Sequence, residues 1–388
     1  MRILLVSESY PPVMSGVSTV VSSYAHMLRK LHHSVCVITT NNTHVSCVTT
    51  TNGITIHRIQ STKNYLRPGS SIAVPSHKEI TAIIEKERPD IIHVHTIATL
   101  SFSVQRVATR MHIPVVATVH GIPPWLLTYI PVPKVLLFPL EYILWSILTQ
   151  HLNRTAHVTT PSLYVKRELI KHGVTTACSV LPMWIAPSRS KAKRHRLKNF
   201  IFAPSITYYS FIGRLDPDKN LLFLIHAWIR FQKQHPGAAK RRLIIIGSGT
   251  QESFLRRLAA HDLTHSIIFL GTYEEKELSY VYKNCQFFCM PALYETQSIV
   301  SLQAIAYGKT AILARSGALT EIQRRYPKHV LGYNPMHATD LIRCFEQASK
   351  LPSKGILPKP DMKFYAQHRI LHELHSLYAS VIHTSVPM

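Results

Sequence analysis

Acidic side chains are few: the 388 residues carry 20 Asp and Glu against 44 Lys and Arg, a formal charge of +24, with 24 histidines besides. A surface so biased suits a polyanion such as nucleic acid, anionic lipid headgroups or phosphorylated small molecules. It equally suits a plain compositional preference for basic residues, and charge decides nothing about fold. Charges of both signs together make up only 16% and hydrophobic residues 46%, which excludes a disordered chain. No C-x-x-C pair occurs among Cys36, Cys47, Cys178, Cys285, Cys289 and Cys344. That removes the usual zinc and disulfide spacings and leaves buried reduced thiols as the expectation. There is no G-x-G-x-x-G, hence no support for a dinucleotide fingerprint. No charged, apolar and cleavable leader opens the chain; MRILLVSES reads as a first buried strand. Short repeats and low-complexity segments are missing too. So is any nucleic-acid recognition module, so no nucleic-acid partner is expected. The most apolar stretch, 122–152, is broken by Pro123, Pro124, Pro131, Pro133 and Pro139 and carries Lys134 and Glu141, a poor transmembrane span.

What is present is an alternation. A chain of 388 residues is long enough for two domains. Short β-branched runs at 3–7, 35–39, 54–59, 91–95, 115–120 and 157–160 read as strands. Helical patterns lie near 17–31, 76–87, 101–111, 135–152 and 163–172. The pattern restarts with strands at 210–213, 243–247, 267–271, 287–291 and 311–314, each followed by a helix. Continuous apolar strands alternating with helices imply parallel sheets covered on both faces. The expected fold class is therefore α/β, with two doubly wound Rossmann-like domains that take ligands at the carboxyl ends of their strands. The expected division is residues 1–187, a basic linker at 188–209, a second domain at 210–361 and a terminal helical segment at 362–388.

Three stretches carry chemistry. In SYPPVMSGVSTVV, Ser15 and Gly16 sit where a strand gives way to a helix, a place where backbone amides and the helix dipole favour an anion. In FIGRLDPDKN, Arg214 and Lys219 follow a strand end. Such cations suit a diphosphate, Arg through paired hydrogen bonds and Lys as a point charge; a surface pair bridged to Asp216 or Asp218 is the plainer alternative. In ALYETQSIVSLQAIAYGKT, Glu295 opens a loop, the amides of Ser298 and Ile299 begin a helix, and Gln303 lies one turn in on the face of Ile299. A helix-dipole partner and a satisfied core amide would account for Glu295 and Gln303 equally well.

These stretches, with GRLDPDK, the GSG after Ile246, P-x-x-x-E-T-Q-x-I-V-x-L-Q-A-x-A-x-G, PDIIHVHT, VVATVH and the TPS after His157, follow one another in a familiar order. Together they resemble the retaining nucleotide-sugar glycosyltransferases of the GT-B fold, family 4, over nearly the whole chain. The resemblance implies a site in a cleft between the two domains, with the acceptor on the first. Arg214 and Lys219 would hold the donor diphosphate beside Gly247, Ser298 and Ile299, with Ser15 and Gly16 closing over it. Glu295 would bind the sugar hydroxyls, and Gln303 would stand where a second glutamate usually holds the ribose. His120 would lie near the transferred sugar and acceptor, and it and Glu295 are the catalytic candidates. The terminal helix resembles one that crosses back to the first domain.

The same resemblance implies an enzyme, a hexosyltransferase whose nucleotide sugar, with UDP or GDP, is a substrate. It implies no cofactor and no metal. Glu-Thr-Gln at 295–297 is similar to diacylglycerol glucosyltransferases of the family, where glycine usually stands at the place of Ser298. Beside His120, the segment GIPPWLLTYIPVPKVLLFPLEYILW adds Trp125, Tyr129, Tyr142 and Trp145 to aliphatic residues. Aromatic and apolar surface on a positive chain suits an enzyme that takes a lipid acceptor at an anionic membrane surface. Trp125, Tyr129 and Trp145 are the expected acceptor or membrane residues, and the expected location is the cytoplasmic face of the cell membrane. A soluble glycan acceptor and a binding relative without turnover are the alternatives. Three further departures stand out: Ser15 in place of the first glycine of a pair, His32-His33 in place of Gly-His, and LPMWIAP in place of Pro-Asn-Gly.

Overall fold

The structure is a computed structural model that describes all residues except 14, 42, 44, 65–70, 96–97, 131, 186–196, 198–199, 236–239, 352–356 and 386–388. Two compact units divide the chain: Met1–Met183 with His368–Met388, and Trp184–Gln367. In chain order the strands are β1 Arg2–Val6, β2 Ser34–Thr40, β3 Cys47–Thr51, β4 Ile54–Ile59, β5 Ser61–Lys63, β6 Ser71–Ala73, β7 Ile91–Val94, β8 Val115–Thr118, β9 His157–Thr160 and β10 Cys178–Val180, then β11 Thr207–Ile212, β12 Arg241–Ile246, β13 Ile267–Gly271, β14 Phe287–Met290, β15 Thr310–Ala314 and β16 Val330–Tyr333. The helices are α1 Gly16–Lys30, α2 His77–Glu87, α3 Thr99–Arg110, α4 Pro123–Leu127, α5 Lys134–Leu152 and α6 Leu163–Lys171, then α7 Leu221–Gln234, α8 Glu252–Ala259, α9 Glu275–Asn284, α10 Ile299–Ala306, α11 Leu319–Arg325, α12 Ala338–Lys350 and α13 Gln367–Ser385.

In the first unit the strand order is β10-β9-β8-β7-β1-β2-β4-β3. The ladders of this eight-stranded sheet are parallel except where β3 runs antiparallel to β4; β5 and β6 pair antiparallel in a small sheet of their own. β1 is ILLV after its first residue and fully buried, as a central strand covered on both faces must be. From β1 the chain goes outward to β2 and β4, then returns to lay β7 on the other side of β1. That reversal opens a crevice at the carboxyl ends of β1 and β7. The second unit repeats the device with the order β13-β12-β11-β14-β15-β16, and its reversal lies between β11 and β14. The loop after β11 thereby meets the loop after β14, two stretches far apart in sequence.

Several boundaries differ from expectation. β11 begins at Thr207, so the expected linker ends earlier than 209; Tyr208 and Tyr209 are buried and pack as strand residues. The basic run at 189–196 and 198 lies outside the described residues. β7 and β8 stop at Val94 and Thr118, which leaves His95 and His120 on the loops just beyond. β3, β5, β6, β10 and β16 were not expected from the sequence; they are short or exposed and lack a long apolar run. The terminal helix starts at Gln367 after a single turn at Lys363–Tyr365, and from His368 the chain belongs to the first unit. The cysteines are free; Cys47 is exposed and Cys178 half-buried, unlike the four buried ones.

Candidate active site

At the reversal of the second sheet, β11 ends and the backbone turns through Gly213 into Arg214. The turn is held from below by the β12 loop. Leu215 N–H donates to Ser248 O at 2.9 Å, and Gln251 N–H donates to Leu215 O at 2.9 Å. Gly247 has φ +135°, and a Cβ there would fall 1.8 Å from Gly213 O, so only glycine lets the two loops touch. Its own N–H donates to Gly271 O at 2.8 Å. Gly247 therefore builds the turn that presents Arg214, and its amide is already engaged.

The side chains of this turn form one electrostatic cluster. Arg214 forms an ion pair with Asp216 and reaches Asp218 Oδ2 at 3.1 Å. Lys219 Nζ lies 3.2 Å from Asp218 Oδ2 and 2.5 Å from Glu295 Oε1. Asp216 also accepts from the N–H and hydroxyl of Thr250, at 2.9 and 3.0 Å. Burial alone would lower the Lys219 pKa, but Glu295 and Asp218 beside it outweigh that and hold the ammonium above its ordinary value. Of the two expectations, the bridged pair is the one seen: the two aspartates are buried and hold Arg214 and Lys219 in ion pairs, with Lys219 also on Glu295. Asp216-Pro-Asp218 is also an Asp-x-Asp triplet, a spacing overlooked in the sequence, and its carboxylates are engaged by Arg214, Lys219 and Thr250. Among the described residues no group of three His, Cys, Asp or Glu side chains is placed to hold a metal ion.

Glu295 enters from the β14 loop, which is tied to the same turn: Leu293 N–H donates to Asp218 O at 3.2 Å and Ala318 N–H to Glu295 O at 3.0 Å. Ser298 then adopts φ +60°, ψ +70°, the left-handed region, and α10 starts at Ile299. That conformation explains why glycine is the common residue there; in this chain Ser298 is buried, with its hydroxyl 2.7 Å from that of Ser301. Gln303 accepts from the Tyr282 hydroxyl at 3.2 Å through its amide oxygen. Half of its hydrogen-bonding capacity on the acceptor side is thus turned to a protein partner, closer to the satisfied-amide alternative than to a group wholly given to a ligand.

The crevice of the first sheet is built differently. Ser15 is the N-cap of α1: its hydroxyl accepts from Ser18 N–H at 3.0 Å and lies 2.6 Å from the Ser9 hydroxyl. Its extended backbone has no need of glycine. A Cβ added to Gly16 would meet nothing within 4 Å, so packing does not demand that glycine. At the other end of α1, His32 has φ +62°, again a left-handed residue where glycine is usual.

His93 lies within β7, and His95 and His120 stand just beyond β7 and β8. His93 is fully buried, 2.6 Å from the Tyr378 hydroxyl of α13 through Nδ1 and 2.6 Å from the Thr118 hydroxyl through Nε2. Its ring centroid lies 4.0 Å from that of His95. His95 Nδ1 is 3.2 Å from His120 Nε2. Burial pushes His93 down to about 3 and His120 to about 4, and burial with His93 and His120 beside it holds His95 well below its ordinary value. These imidazoles are neutral at ordinary pH. His93 and His95 carry no role in the sequence reading beyond membership of PDIIHVHT; their H-x-H spacing, one residue apart at a strand end, was the available signal.

The expected acceptor residues separate. Trp125 and Tyr129 are half-buried and meet edge to face at 5.9 Å, and the Trp125 ring covers Gly121, next to His120. Trp145 does not share their surface: it is 4% exposed, stacks on His172 at 3.7 Å and belongs to the core of the first unit. α5 turns Leu137, Trp145, Leu148 and Leu152 inward, while Val135, Leu136, Phe138, Tyr142, Ile143 and Ile147 are exposed. Phe138 and Tyr142 are each 73% exposed. By length and composition alone, Val135–Leu152 could cross a membrane, whatever its proline and Glu141.

Two doubly wound units, each with a loop site at its strand reversal, make up the GT-B type of glycosyltransferase architecture. Residues 14–189 match the family Glycosyltransferase Family 4 and residues 202–356 match Glycosyl transferases group 1. The chain belongs to this family of glycosyltransferases. Among curated proteins it is 28% identical to the sulfoquinovosyl transferase SQD2 of Arabidopsis thaliana, over 63% of this chain and 46% of that protein, so it matches less than half of the plant relative's length. It is 26% identical to the alpha-monoglucosyldiacylglycerol synthase of Streptococcus pneumoniae over 80% of this chain and 70% of that one. Among solved structures, a sucrose-phosphate synthase from Thermosynechococcus elongatus superposes with a TM-score of 0.76 at 15% identity, covering 98% of this chain and 99% of its own, which shows the shared fold.

Proposed function

We propose that the protein is a retaining hexosyltransferase that moves a sugar from a UDP- or GDP-sugar to a hydroxyl of a lipid such as diacylglycerol, at the cytoplasmic face of the cell membrane. The observation that carries the lipid reading is the outward face of α5. A helix with a core face on one side and Val135, Leu136, Phe138, Tyr142, Ile143 and Ile147 on the other is apolar all round, a pattern water does not favour and a lipid surface does. The formal charge of +24 favours an anionic membrane. The diacylglycerol in the name of the streptococcal relative supports the same acceptor class.

In this reading the donor diphosphate binds the second unit. Arg214 offers paired N–H groups, Lys219 a charge that its carboxylate neighbours keep protonated, and the start of α10 its unpaired amides. The bond between the anomeric carbon and the diphosphate oxygen breaks, and the acceptor oxygen forms the new bond on the same face. The acceptor proton leaves with the diphosphate. Charge placed in advance on the departing oxygens and an oriented acceptor supply the acceleration, so the reading needs no cofactor. Glu295 orients the sugar hydroxyls and, through Lys219, ties that recognition to the diphosphate. Gly16 and His120 are the candidates that the resemblance names on the first unit.

The test is a panel of UDP-glucose, UDP-galactose, UDP-N-acetylglucosamine and GDP-mannose offered with anionic vesicles with and without diacylglycerol, the product being read by mass. A glycolipid formed only with diacylglycerol is expected. Transfer to a soluble glycan at the same rate would replace the acceptor reading. Donor binding with neither transfer nor slow hydrolysis would remove the enzyme reading.

A further inference from the structure

We infer that Glu295 changes partners in each turnover. It leaves Lys219 for the hydroxyls of the donor sugar as the diphosphate takes its place on the ammonium, and it returns to Lys219 once the sugar has gone. The inference rests on the reading of the second unit as the donor site and adds a moving part to it. Lys219 Nζ lies 2.5 Å from Glu295 Oε1 and 3.2 Å from Asp218 Oδ2. With Arg214 on Asp216 and Asp218, the cluster holds two positive side chains and three negative ones, a balance of −1. A diphosphate is itself an anion and finds no unbalanced cation there. Bringing its oxygens to Lys219 while Glu295 stays would set like charges within about 5 Å of each other, beside side chains that water scarcely reaches to screen. One carboxylate has to give way.

The way each carboxylate is held decides which one. The Asp218 side chain is fully buried between Arg214 and Lys219. Asp216 is nearly so, and takes the N–H and hydroxyl of Thr250 besides Arg214. The Glu295 carboxylate has one partner among the described residues, Lys219, and keeps 11% of its side chain exposed. Its backbone is fixed on both sides: Ala318 N–H donates to Glu295 O at 3.0 Å, and Leu293 N–H donates to Asp218 O at 3.2 Å. The change of partner is therefore a rotation of the side chain from one staggered position to another, with the loop staying in place. A sugar hydroxyl gives the released carboxylate a charge-assisted hydrogen bond, which offsets the lost ion pair. A nucleoside diphosphate without its sugar offers nothing in exchange. After transfer the returning Glu295 thus competes with the product for Lys219, so the residue that recognises the sugar also helps expel the leaving nucleotide.

Two measurements on the full chain test the exchange without turnover. In calorimetric titrations with UDP and with GDP, Glu295→Gln keeps the shape of the side chain and removes the competing charge. The nucleoside diphosphate that wild type binds should then bind about tenfold tighter, on the scale of one charge-assisted hydrogen bond. Glu295→Ala should give a similar gain, which separates the lost charge from any bond made by the new amide. In a crystal structure of wild type with UDP-glucose or GDP-mannose bound, the Lys219–Glu295 contact should open beyond 4 Å. Weaker binding of the bare diphosphate by both variants would make Glu295 a support for Lys219 and overturn the inference. So would a Lys219–Glu295 contact still closed with the nucleotide sugar in place, or a wild type that binds neither nucleotide. Binding and exchange without transfer to any acceptor would remove the functional reading alone.

Discussion

The two units solve one topological problem with opposite chemistry. Each places its site at the carboxyl ends of the strands where the sheet reverses. The second fills that place with ions, Arg214 and Lys219 locked to Asp216, Asp218 and Glu295. The first fills it with neutral groups, His93, His95 and His120 among Thr118, Thr159 and Tyr378. The contrast extends beyond the sites: among the described residues, the histidines held below their ordinary pKa by burial, His33, His93, His95, His120, His151 and His157, all belong to the first unit. In the proposed reading, the unit with ion pairs takes the charged diphosphate and the unit with neutral imidazoles and the exposed apolar helix takes the uncharged hydroxyl of a lipid. Similar topology leaves the chemistry of the crevice open, and the loops supply it.

The largest effect should come from breaking the ionic side. Glu295→Ala removes the proposed sugar contact and frees Lys219 from its 2.5 Å partner, and transfer should fall by about 10²–10³-fold or more, with the thermal transition nearly unchanged. Near-normal turnover would refute the role of Glu295.

Next comes acid. Each of these six imidazoles has a folded pKa below its unfolded value of about 6.5, so as pH falls the unfolded state binds more protons. Stability that is complete above about pH 6.5 is therefore lost on the way down to the folded value, which for His151 is about 4. His151 is 2% exposed with neither ring nitrogen hydrogen-bonded among the described residues, and alone should cost the first unit about 3 kcal/mol across that window. Lys219 works in the opposite sense: its raised pKa contributes stability that is present below the unfolded value of about 10.4 and lost as pH rises through the folded one. Urea melts followed by single-tryptophan variants keeping Trp145 or Trp228 should show the first unit weakening between pH 6.5 and 4 while the second holds. Equal weakening of both would dissolve the contrast.

A smaller change tests the apolar face. Phe138→Glu with Tyr142→Glu should weaken binding to anionic vesicles about tenfold, by removing buried aromatic area and adding repulsion, and leave the fold intact since both side chains are exposed. Vesicle binding unchanged in a flotation assay would take α5 out of the membrane reading. The smallest is Gln303→Glu. The carboxylate still accepts from Tyr282 and can take stronger bonds from a ribose, so donor affinity should rise by about 1 kcal/mol in a titration, and a large loss would show that the amide itself is used.

How much of this was legible depends on the kind of residue. Arg214, Lys219, Glu295 and His120 stand at strand ends that apolar runs announce, and motif order names them. Asp216 and Asp218 are in plain view inside GRLDPDK, yet spacing alone cannot tell a carboxylate that competes with a cation from one that aims it. Trp145 was misread for a physical reason: α5 is apolar on every side, so its periodicity carries no signal of which face turns inward. Gln303 next to Ile299 gave no hint of Tyr282, which comes from a different helix. The glycine replacements at His32 and Ser298 could be noticed from sequence, but that both stand at positive φ could not.

By itself the amino-acid order determined the alternation of buried strands and amphipathic helices, because burial on two faces and helical period are local patterns that a chain writes along its length. With those patterns came the two doubly wound units and the strand-end loops that carry the candidate site residues. Tertiary structure alone decided which of those loops touch. It brought Lys219 against Glu295 across the reversal between β11 and β14, set Tyr378 of the last helix on His93, and turned one side of α5 to the core and the other outward. Those choices rest on long-range contacts and on the desolvation of particular groups, and neither quantity exists until the chain has closed on itself.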